Sequence, residues 1–597
     1  MNMNVIKNNT HISFKGSVQS QKQDRINSVI IYSNDTHGNI DNLYNMVGGI
    51  RSWQNEFKKG GTSPITLSAG DDIMYKNDLN PDIVKRRLDI YVKILNLMGL
   101  DAITIGNHEL DSGEGALAHS LKKAKFKVVS SNLTIGKNSP FNKLHEDKQI
   151  LKSTIIEKDG EKYGILGAFP VNEPISWFYA KNLSIGGIRP ESDYSQNSYQ
   201  DSNYPERMFK KTLEMINQEL EKLKQQGINK IILISHLDYE SDARIARETS
   251  GIDVIIGGHD HFIFDGLKSS GTDRPNLFKS KTGEPVILTQ AGQGAEKFGI
   301  LSLIFDKKGV IQLQENQDKK SEDSFVSSNS IIDSVNALQQ IDTRKLIDGI
   351  IKKEISDMPT IGKFAEDVKP DFSRMADNSI SLAMVDGLKE LTGADIAISN
   401  SAKARSDIKK GNINKGNISF VVPLDDIVVT TKVSQKDMVD FLIQWLRIQE
   451  QKRKYDIMQP SGIKYKIRHI DDPKFTKGKR IKLEEVLFPE KQSDGTTVWK
   501  NIMNNPDTER KYTLVSEEFT LSGYYGDSIK NNCGFKHFVK AGKKFSISDG
   551  LAEYIKNHQD THGIVDLRSQ YHDNRIIISN LAQQKTGFTS KRFQAVG

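Results

Sequence analysis

Short aliphatic and β-branched runs alternate with longer polar stretches through the first half of this chain. The clearest runs end at Tyr32, Leu67, Ile105, Ile234 and Ile256, and each is about four residues long. Such runs are typical of buried strands, whereas the polar stretches between them have a helical distribution of apolar positions. The alternation between about residue 28 and residue 318 therefore predicts an α/β domain.

The pattern changes at residues 318–330, which are charged and Ser-rich and show no hydrophobic rhythm. A helix-like stretch over residues 331–355 follows, and a second set of apolar runs begins near Thr360. We interpret the break as a linker between two domains. The predicted organisation is a loose tail (1–27), an α/β domain (28–318), a linker containing a helix (319–359), a second domain (360–580) and a polar tail (581–597).

Composition narrows the class of protein. The chain has 597 residues, 37% of them hydrophobic and 27% charged, with a formal net charge of +7, which is too small for its length to indicate a nucleic-acid partner. Its single cysteine, Cys533, excludes an intramolecular disulfide. No apolar run approaches the ~20 residues of a membrane helix, and the first residues lack the apolar stretch of a secretory signal. We therefore expect a cytoplasmic protein without a membrane or nucleic-acid partner.

Five of the predicted strands are followed by loops of small residues that carry Asp, His or Asn. The candidate metal ligands in these loops are Asp35, His37, Asp71, Asn107, His236, His259 and His261. Ligands of open α/β folds bind outside the carboxyl ends of the strands, so the five loops can converge on one site.

The residue types in these loops suit a pair of metal ions. Imidazole and carboxylate together favour zinc, manganese, iron or cobalt over magnesium, which prefers oxygen ligands. Two ions ~3.5–4 Å apart need a bridging ligand, and a carboxylate has two oxygens with which to bridge. Each short motif alone is weak evidence. All five in one order, each after a strand-like run, predict a dimetal site.

The chain contains, in this order, the motifs D-x-H, G-D, G-N-H-E, an isolated His and G-H-x-H. This series resembles the motifs of the calcineurin-like metallophosphoesterase superfamily. Within it, the segment GNHELDSG is similar to the GNHEFD form of the 5′-nucleotidase family, as are the segments SHLDYESDARIARETSGIDVIIGGHDHF and TQAGQGAEKFGILSLIFD. The resemblance implies a four-layered αββα sandwich with two divalent ions at one edge.

The resemblance also implies roles for individual residues. One ion would be held by Asp35, His37, Asp71 and His261, and the other by Asp71, Asn107, His236 and His259. His108 and Asp111 match the family's catalytic His–Asp pair, which implies hydrolysis of a phosphate ester by metal-activated water. Asp72 and Asp260 lie among these motifs, but we expect them outside the ligand set. The sequence departs from the family after Asp71, where residues 72–77 replace a Gly-containing loop.

The second half resembles the family's C-terminal substrate-binding domain more faintly, which implies an α+β fold. Residues matching its substrate-binding positions are Arg374, Asn400, Arg405 and Phe519. Other positions differ: Lys403 replaces a glycine, Leu424 an aromatic residue that stacks on the base, Asp426 an asparagine, and Tyr525 an aspartate. We expect Lys403 to add positive charge beside Arg405.

Three hypotheses remain open. The first is a phosphohydrolase for nucleoside monophosphates or 2′,3′-cyclic nucleotides. The second, motivated by Leu424, Asp426 and Tyr525, is a phosphoesterase for a non-nucleotide ester. The third is a non-catalytic binding protein on the same scaffold, which the complete ligand set argues against. For Phe519, a simple packing role is the alternative to base stacking.

Overall fold

The computed structural model describes residues 26–171, 180–189, 204–268, 274–313, 327–337, 343–370, 377–452, 456–475, 478–524, 528–567 and 575–579. The chain divides into two compact units. The first contains residues 1–75 and 88–354, and the second contains residues 76–87 and 355–597. Arg374 and Tyr525 lie outside the described residues, as do most of the predicted N-terminal tail and all of the C-terminal one.

The first unit is built on two large sheets. Its strands are β1 (Ile26–Ser33), β2 (Ile65–Ser68), β4 (Ala102–Ile103), β5 (Lys127–Val129), β6 (Leu133–Ile135), β7 (Ile150–Leu151), β8 (Ser153–Lys158), β9 (Glu161–Ala168), β10 (Leu183–Ile185), β11 (Ile231–Ser235), β12 (Val254–Gly257), β13 (Leu277–Lys279), β14 (Pro285–Thr289), β15 (Lys297–Phe305) and β16 (Ser328–Asp333). One sheet has the order β16-β15-β1-β2-β4-β5-β7, and the other has the order β13-β14-β12-β11-β9-β8.

Parallel pairing sets where the predicted site loops emerge. In the first sheet β1, β2 and β4 are parallel neighbours. In the second sheet β11 and β12 are also parallel. Parallel strands end at the same edge of a sheet, so the loops that follow them start side by side.

The two sheets pack face to face through one shared hydrophobic cluster. It contains Ile30 and Leu67 from the first sheet and Ile165, Ile234 and Ile256 from the second, all at most 1% exposed. Strands buried on both faces read as near-continuous apolar runs, which is why the sequence pattern identified them.

Amphipathic helices accompany the two sheets. The helices of the first unit are α1 (Ile40–Lys59), the last part of α2 (Pro81–Met98), α3 (Gly113–Leu121), α4 (Phe141–Glu146), α5 (Tyr204–Gln225), α6 (Tyr239–Glu248) and α7 (Arg344–Ile355). Asn39 caps α1 with its side chain, and α1 buries an apolar stripe that includes Leu43, Val47 and Ile50. The predicted fold class, an α/β domain followed by a second domain, is confirmed.

The second unit mixes helices with smaller sheets. Its strands are β3 (Lys76–Asn77), β17 (Thr360–Phe364), β18 (Ile396–Asn400), β19 (Gly411–Asn414), β20 (Leu424–Asp425), β21 (Val428–Val433), β22 (Met458–Ser461), β23 (Lys464–Asp471), β24 (Lys479–Lys491), β25 (Thr497–Asn501), β26 (Tyr512–Glu517), β27 (Lys536–His537), β28 (Val539–Lys540), β29 (Lys543–Lys544), β30 (Ile564–Val565) and β31 (Ile576–Ser579). Its further helices are α8 (Ser379–Thr392), α9 (Lys415–Val421), α10 (Gln435–Lys452), α11 (Ser528–Cys533) and α12 (Ile547–Asn557). The central sheet has the order β22-β18-β26-β21-β27.

Two features differ from the sequence prediction. The stretch predicted to be helical from residue 331 is instead strand β16 up to Asp333, because Ile331 and Ile332 pair with β15; the helix begins only at Arg344. The segment 76–87, placed by prediction in the first domain, packs with the second unit, where β3 pairs with β20. Among the helices within the described residues, none combines the length and the apolar character needed to span a bilayer.

Candidate metal centre

The loops that follow β1, β2, β4, β11 and β12 bring their polar side chains to one place. Three overlapping groups have nitrogen or oxygen donor atoms within 4.8 Å of one another. These groups are Asp35 with His37 and His261, His37 with Asp71 and His108, and Asp35 with Asp71 and His236. Asp35, His37 and Asp71 each belong to two groups, so the three groups form one cluster.

Asp71 occupies the middle of this cluster. Its Oδ2 lies 3.1 Å from Nε2 of His236 and 3.5 Å from Nε2 of His37. Its other oxygen, Oδ1, accepts a hydrogen bond of 2.8 Å from the backbone N–H of His108. Because Asp71 is only 2% exposed, its carboxylate faces the cluster rather than solvent.

Asp35 is the second carboxylate of the cluster and is fully buried. Its Oδ1 lies 3.3 Å from Nε2 of His261 and 3.8 Å from Nε2 of both His37 and His236. The side chain of Asn34 donates to Oδ2 at 2.7 Å, and the backbone N–H of His259 donates to the same oxygen at 3.0 Å. These donors fix the orientation of the carboxylate.

Five of the seven predicted ligands have left-handed backbone conformations. The φ angles are 51° for Asp35, 49° for His37, 56° for Asp71, 73° for His259 and 62° for His261. This region is uncommon for residues with a Cβ and costs of order 1 kcal/mol or more. Such strain concentrates at functional sites, where the surrounding structure holds it in place.

The donor atoms fit a divalent cation. Nε2 of His37 and Nε2 of His236 are buried and have no hydrogen-bond partner. Nδ1 of His236 lies 2.7 Å from the carbonyl oxygen of Ala69, to which it donates as N–H, so the lone pair of the neutral ring is on Nε2, beside Asp71. A partner that fixes one imidazole nitrogen so that the other binds metal is a general feature of histidine ligands.

The electrostatics of the cluster also favour a cation. Burial lowers the pKa of His37 to about 4, so its imidazole is neutral at neutral pH. Burial would also lower the pKa of His236, but the charges of Asp71 and Asp35 outweigh it and raise that pKa to about 10. In the absence of an ion the carboxylates thus retain a proton on His236, which a bound cation would displace.

His108 belongs to one of these groups and is the first residue of a short 3₁₀ helix (His108–Leu110), which Asp111 directly follows. Nδ1 of His108 lies 2.7 Å from Oδ2 of Asp111, and the ring centroid of His108 lies 5.2 Å from that of His37. The imidazole is therefore oriented by a carboxylate and lies next to candidate ligands.

Asn107 and His259 form another neighbouring pair, with 3.2 Å between Oδ1 of Asn107 and Nδ1 of His259. The ring of His259 meets that of His236 edge-on at 5.4 Å between centroids. All seven residues predicted as ligands thus lie in or directly against one cluster.

Sequence reasoning missed one residue of the site, Glu109. Its buried carboxylate accepts hydrogen bonds from four backbone N–H groups: Oε2 from Asp71 at 2.9 Å and Gly106 at 2.7 Å, and Oε1 from Asp72 at 2.7 Å and Ile73 at 3.0 Å. Glu109 therefore ties the loop after β2 to the loop after β4. Its place inside the GNHE motif was a signal for this role.

Two nearby aspartates are placed differently from the ligands. Both carboxylate oxygens of Asp72 are buried without a hydrogen-bond partner, and burial raises the pKa of Asp72 to about 7. Asp260 accepts a hydrogen bond of 2.5 Å from the backbone N–H of Tyr239. Neither belongs to the groups of close donor atoms found among the described residues.

The second unit contains three of the four predicted substrate residues within the described chain; the fourth, Arg374, lies outside it. Asn400 caps a 3₁₀ helix (Ser401–Lys403) by accepting from the N–H of Ala402 at 2.7 Å. Nε of Arg405 donates to the carbonyl of Ala402 at 3.0 Å. Phe519 is half-buried against a hydrophobic cluster of this unit.

Comparison with known proteins agrees with this architecture. Residues 29–262 match the calcineurin-like phosphoesterase family, and residues 356–530 match the 5′-nucleotidase C-terminal domain. The trifunctional nucleotide phosphoesterase protein YfkN of Bacillus subtilis is 24% identical over 449 residues, 70% of this chain and 27% of that one. A probable 5′-nucleotidase of Treponema pallidum is 28% identical over 303 residues, 47% of this chain and 46% of that one. The chain thus spans less than half the length of these curated relatives.

A solved structure has the same fold over nearly the whole chain. The 5′-nucleotidase precursor from Thermus thermophilus superposes with a TM-score of 0.59 at 20% identity, covering 93% of this chain and 100% of that one. The two family matches occur in the same order as the two compact units of the structure. The chain thus joins a domain of the calcineurin-like phosphoesterase family to a 5′-nucleotidase C-terminal domain.

Proposed function

We propose that this protein is a metal-dependent phosphohydrolase that cleaves phosphate esters of nucleotides, either nucleoside 5′-monophosphates or 2′,3′-cyclic monophosphates. The observation that supports it most is the convergence of two buried carboxylates and several imidazoles from five separate loops, in three overlapping groups whose donor atoms each lie within 4.8 Å of one another. A structural role does not require so many strained, buried ligand-type residues in one cluster.

The two proposed ligand sets have Asp71 in common. Asp35, His37, Asp71 and His261 would hold one divalent ion, and Asp71, Asn107, His236 and His259 would hold the other. Bound there, two ions supply the positive charge that makes water a stronger nucleophile and neutralises phosphoryl oxygens. The mixed imidazole and carboxylate ligands favour manganese, zinc, cobalt or iron.

The reaction needs a group that stabilises negative charge on the substrate oxygens and gives a proton to the leaving oxygen. In the hydrolysis, the oxygen of water forms a new bond to phosphorus while the bond from phosphorus to the leaving oxygen breaks, and that oxygen takes up a proton. We assign this role to His108, because the 2.7 Å contact with Asp111 fixes its ring and stabilises its protonated form.

On the substrate side, we propose Arg405 and Arg374 as phosphate-binding groups, because a guanidinium presents two parallel donors to phosphate oxygens. Asn400 would contact the sugar or phosphate, and Phe519 stands at the position where the family's C-terminal domain has a ring that stacks on the base. The resemblance to the family's C-terminal domain supports these assignments.

A phosphatase screen on the purified full chain tests the proposal. We expect phosphate release from nucleotides when manganese is added, and loss of release in Asp71→Ala. If a generic aryl phosphate is cleaved but no nucleotide is, the activity stands and the substrate assignment fails. If none of the nucleotides, sugar phosphates and aryl phosphates is cleaved with any of the four metals, the enzymatic proposal itself is wrong.

The non-nucleotide phosphoesterase is a second candidate, and one observation favours it. The ammonium group of Lys403 lies 5.1 Å from the centroid of the Phe519 ring, the residue assigned to base stacking. Sugar phosphates in the same screen, compared by kcat/KM with nucleotides, distinguish the two substrate classes.

A further inference from the structure

Three positions where this chain departs from its family's pattern meet in one place within the second unit. Asp426 bonds through Oδ2 to the ammonium group of Lys403 and through Oδ1 to that of Lys76 at 2.7 Å. Lys76 belongs to the segment after Asp71 that replaces a Gly-containing loop, and Lys403 and Asp426 replace a glycine and an asparagine. We call this cluster the Lys76–Asp426–Lys403 triad.

The triad is mostly removed from solvent. The side chains of Lys403 and Asp426 are 6% and 7% exposed, and that of Lys76 is 22% exposed. Burial alone would raise the pKa of Asp426, but the charges of Lys403 and Lys76 lower it to about 2. The expected extra positive charge at Lys403 is therefore largely neutralised, because its ammonium group is paired with Asp426.

The pairing also fixes where the Lys403 side chain lies. Its Nζ is held by Asp426 and is 3.5 Å from the carbonyl oxygen of Leu424. From that position it lies over the Phe519 ring at 5.1 Å from the centroid, within the range of a cation–π contact. A base that stacked on this part of the ring would have to displace Lys403 from both contacts.

Another departure from the family's pattern also weakens binding of a base. Leu424, at the start of β20, takes the place of the other stacking aromatic, so an aliphatic side chain stands where a second ring would hold the base. Base stacking on an aromatic side chain contributes ~1–3 kcal/mol per base, so blocking one ring and lacking the other removes most of the base's contribution to binding.

We propose that Lys403, held in place by Asp426, is a specificity-determining residue that blocks stacking of a nucleobase on Phe519. The inference rests on the proposed function and narrows it: the substrate is selected through its phosphate and sugar, with little preference for the base and little advantage over ring-free phosphate esters. When Lys403 is removed, the ion pair with Lys76 still balances the negative charge of Asp426.

Binding of adenosine, which carries no phosphate, tests this in the full-length protein. Isothermal titration calorimetry should show that Lys403→Ala binds adenosine at least about fivefold more tightly than the unmodified chain, the lower end of a stacking gain. Lys76→Ala is the matched control, because it removes one ammonium group from the same carboxylate but leaves Lys403 over the ring. We expect its adenosine affinity to equal that of the unmodified chain.

A third variant identifies the ring as the cause. Adding Phe519→Ala to Lys403→Ala should abolish the gain. The proposal is overturned if Lys403→Ala binds adenosine no better, if Lys76→Ala gains as much, or if the gain survives loss of Phe519. Lys403→Ser replaces the alanine variant if thermal melting shows that the latter is unfolded. Because binding is measured without turnover, an inactive protein would refute the proposed hydrolysis and leave this test intact.

Discussion

Nδ1 of His108 lies 2.7 Å from Oδ2 of Asp111, three residues later in the chain. The 3₁₀ helix that joins them makes this contact possible, since the backbone N–H of Asp111 also bonds to the carbonyl of His108 at 3.2 Å. The side chain of His108 is 26% exposed and that of Asp111 is 10% exposed. A ring that is oriented by a carboxylate, lies among the candidate ligands and is partly open to solvent can meet a substrate, as the proposed role of His108 requires.

His108→Ala should therefore lower kcat by ~10²–10⁴-fold, the contribution of a positioned acid–base or charge-stabilising group. Metal content should stay at the unmodified level, because the variant leaves the seven proposed ligands intact. Steady-state kinetics with a nucleotide, together with elemental analysis of the same preparation, measures both quantities.

Asp111→Asn should give a weaker effect of the same kind. The amide keeps the shape of the side chain but removes the negative charge that stabilises a protonated His108, so the loss of kcat should be smaller than in His108→Ala. An unchanged kcat in His108→Ala would exclude the residue from the chemistry. A loss of metal in either variant would show instead that the pair belongs to the ligand shell.

Asp71→Ala should remove both ions together. Its carboxylate lies within 3.5 Å of a histidine nitrogen on each side, and it is the only proposed ligand common to both sets. Elemental analysis after dialysis should give close to no bound metal, and phosphatase activity should be lost. Retention of nearly two ions per chain would contradict the bridging assignment.

Asp72→Asn is the matched control for that experiment. Asp72 is as buried as Asp71 and directly follows it, but it does not belong to the close groups of donor atoms among the described residues. The substitution conserves side-chain shape, so we expect metal content to remain near that of the unmodified chain. Equal metal loss in both variants would mean that the loop, rather than the Asp71 carboxylate, controls binding.

Glu109→Gln should weaken the metal site, because the backbone N–H groups of its loops would lose acceptors. Each carboxylate oxygen of Glu109 accepts two N–H groups, and an amide would turn a donor toward one of these pairs. A buried N–H group left without a partner costs ~1–3 kcal/mol, so two such groups should lower the thermal stability of the first unit and its metal affinity. Thermal melting with and without manganese measures both, and an unchanged melting curve and affinity would contradict the role.

The predicted ligands that the structure brings together share one property. Asp35, Asp71 and His236 each follow an apolar run that becomes a buried parallel strand, and parallel strands bring the residues after them to one edge. Periodicity and order along the chain therefore contained the information needed to predict the cluster, although not the left-handed conformation that strains its backbone.

Features that depend on contacts between distant segments could not be read in this way. Lys76 and Asp426 are 350 residues apart, and neither lies in a pattern that indicates the other. The misassigned helix has a local cause: Ile331 and Ile332 form part of a short apolar run, which is compatible with either strand or helix until pairing with β15 decides it.

Asp425 provides a pH test that does not involve the metal centre. This carboxyl is 1% exposed and is surrounded by hydrogen-bond donors, including Nδ2 of Asn77 at 2.5 Å and the hydroxyls of Ser546 and Ser548 at 2.9 and 2.6 Å. Burial and the nearby charge of Asp549 raise its pKa to about 7 despite these donors.

Because the pKa of Asp425 is raised in the folded state, the folded protein binds a proton more tightly than the unfolded chain does. Its contribution to stability is complete below about pH 4 and is lost as pH rises to about 7, by up to about 4 kcal/mol. Asp425→Asn does not titrate, so its melting temperature should rise relative to that of the unmodified chain between about pH 4.5 and about pH 7.5.

Asp426→Asn is the neighbouring control. The pKa of Asp426 is about 2 when folded, below this range, so the difference in melting temperature between this variant and the unmodified chain should stay constant. Parallel pH profiles for the unmodified chain and Asp425→Asn would show that Asp425 is already ionised in the folded protein at the acidic end of this range, held so by its hydrogen-bond donors.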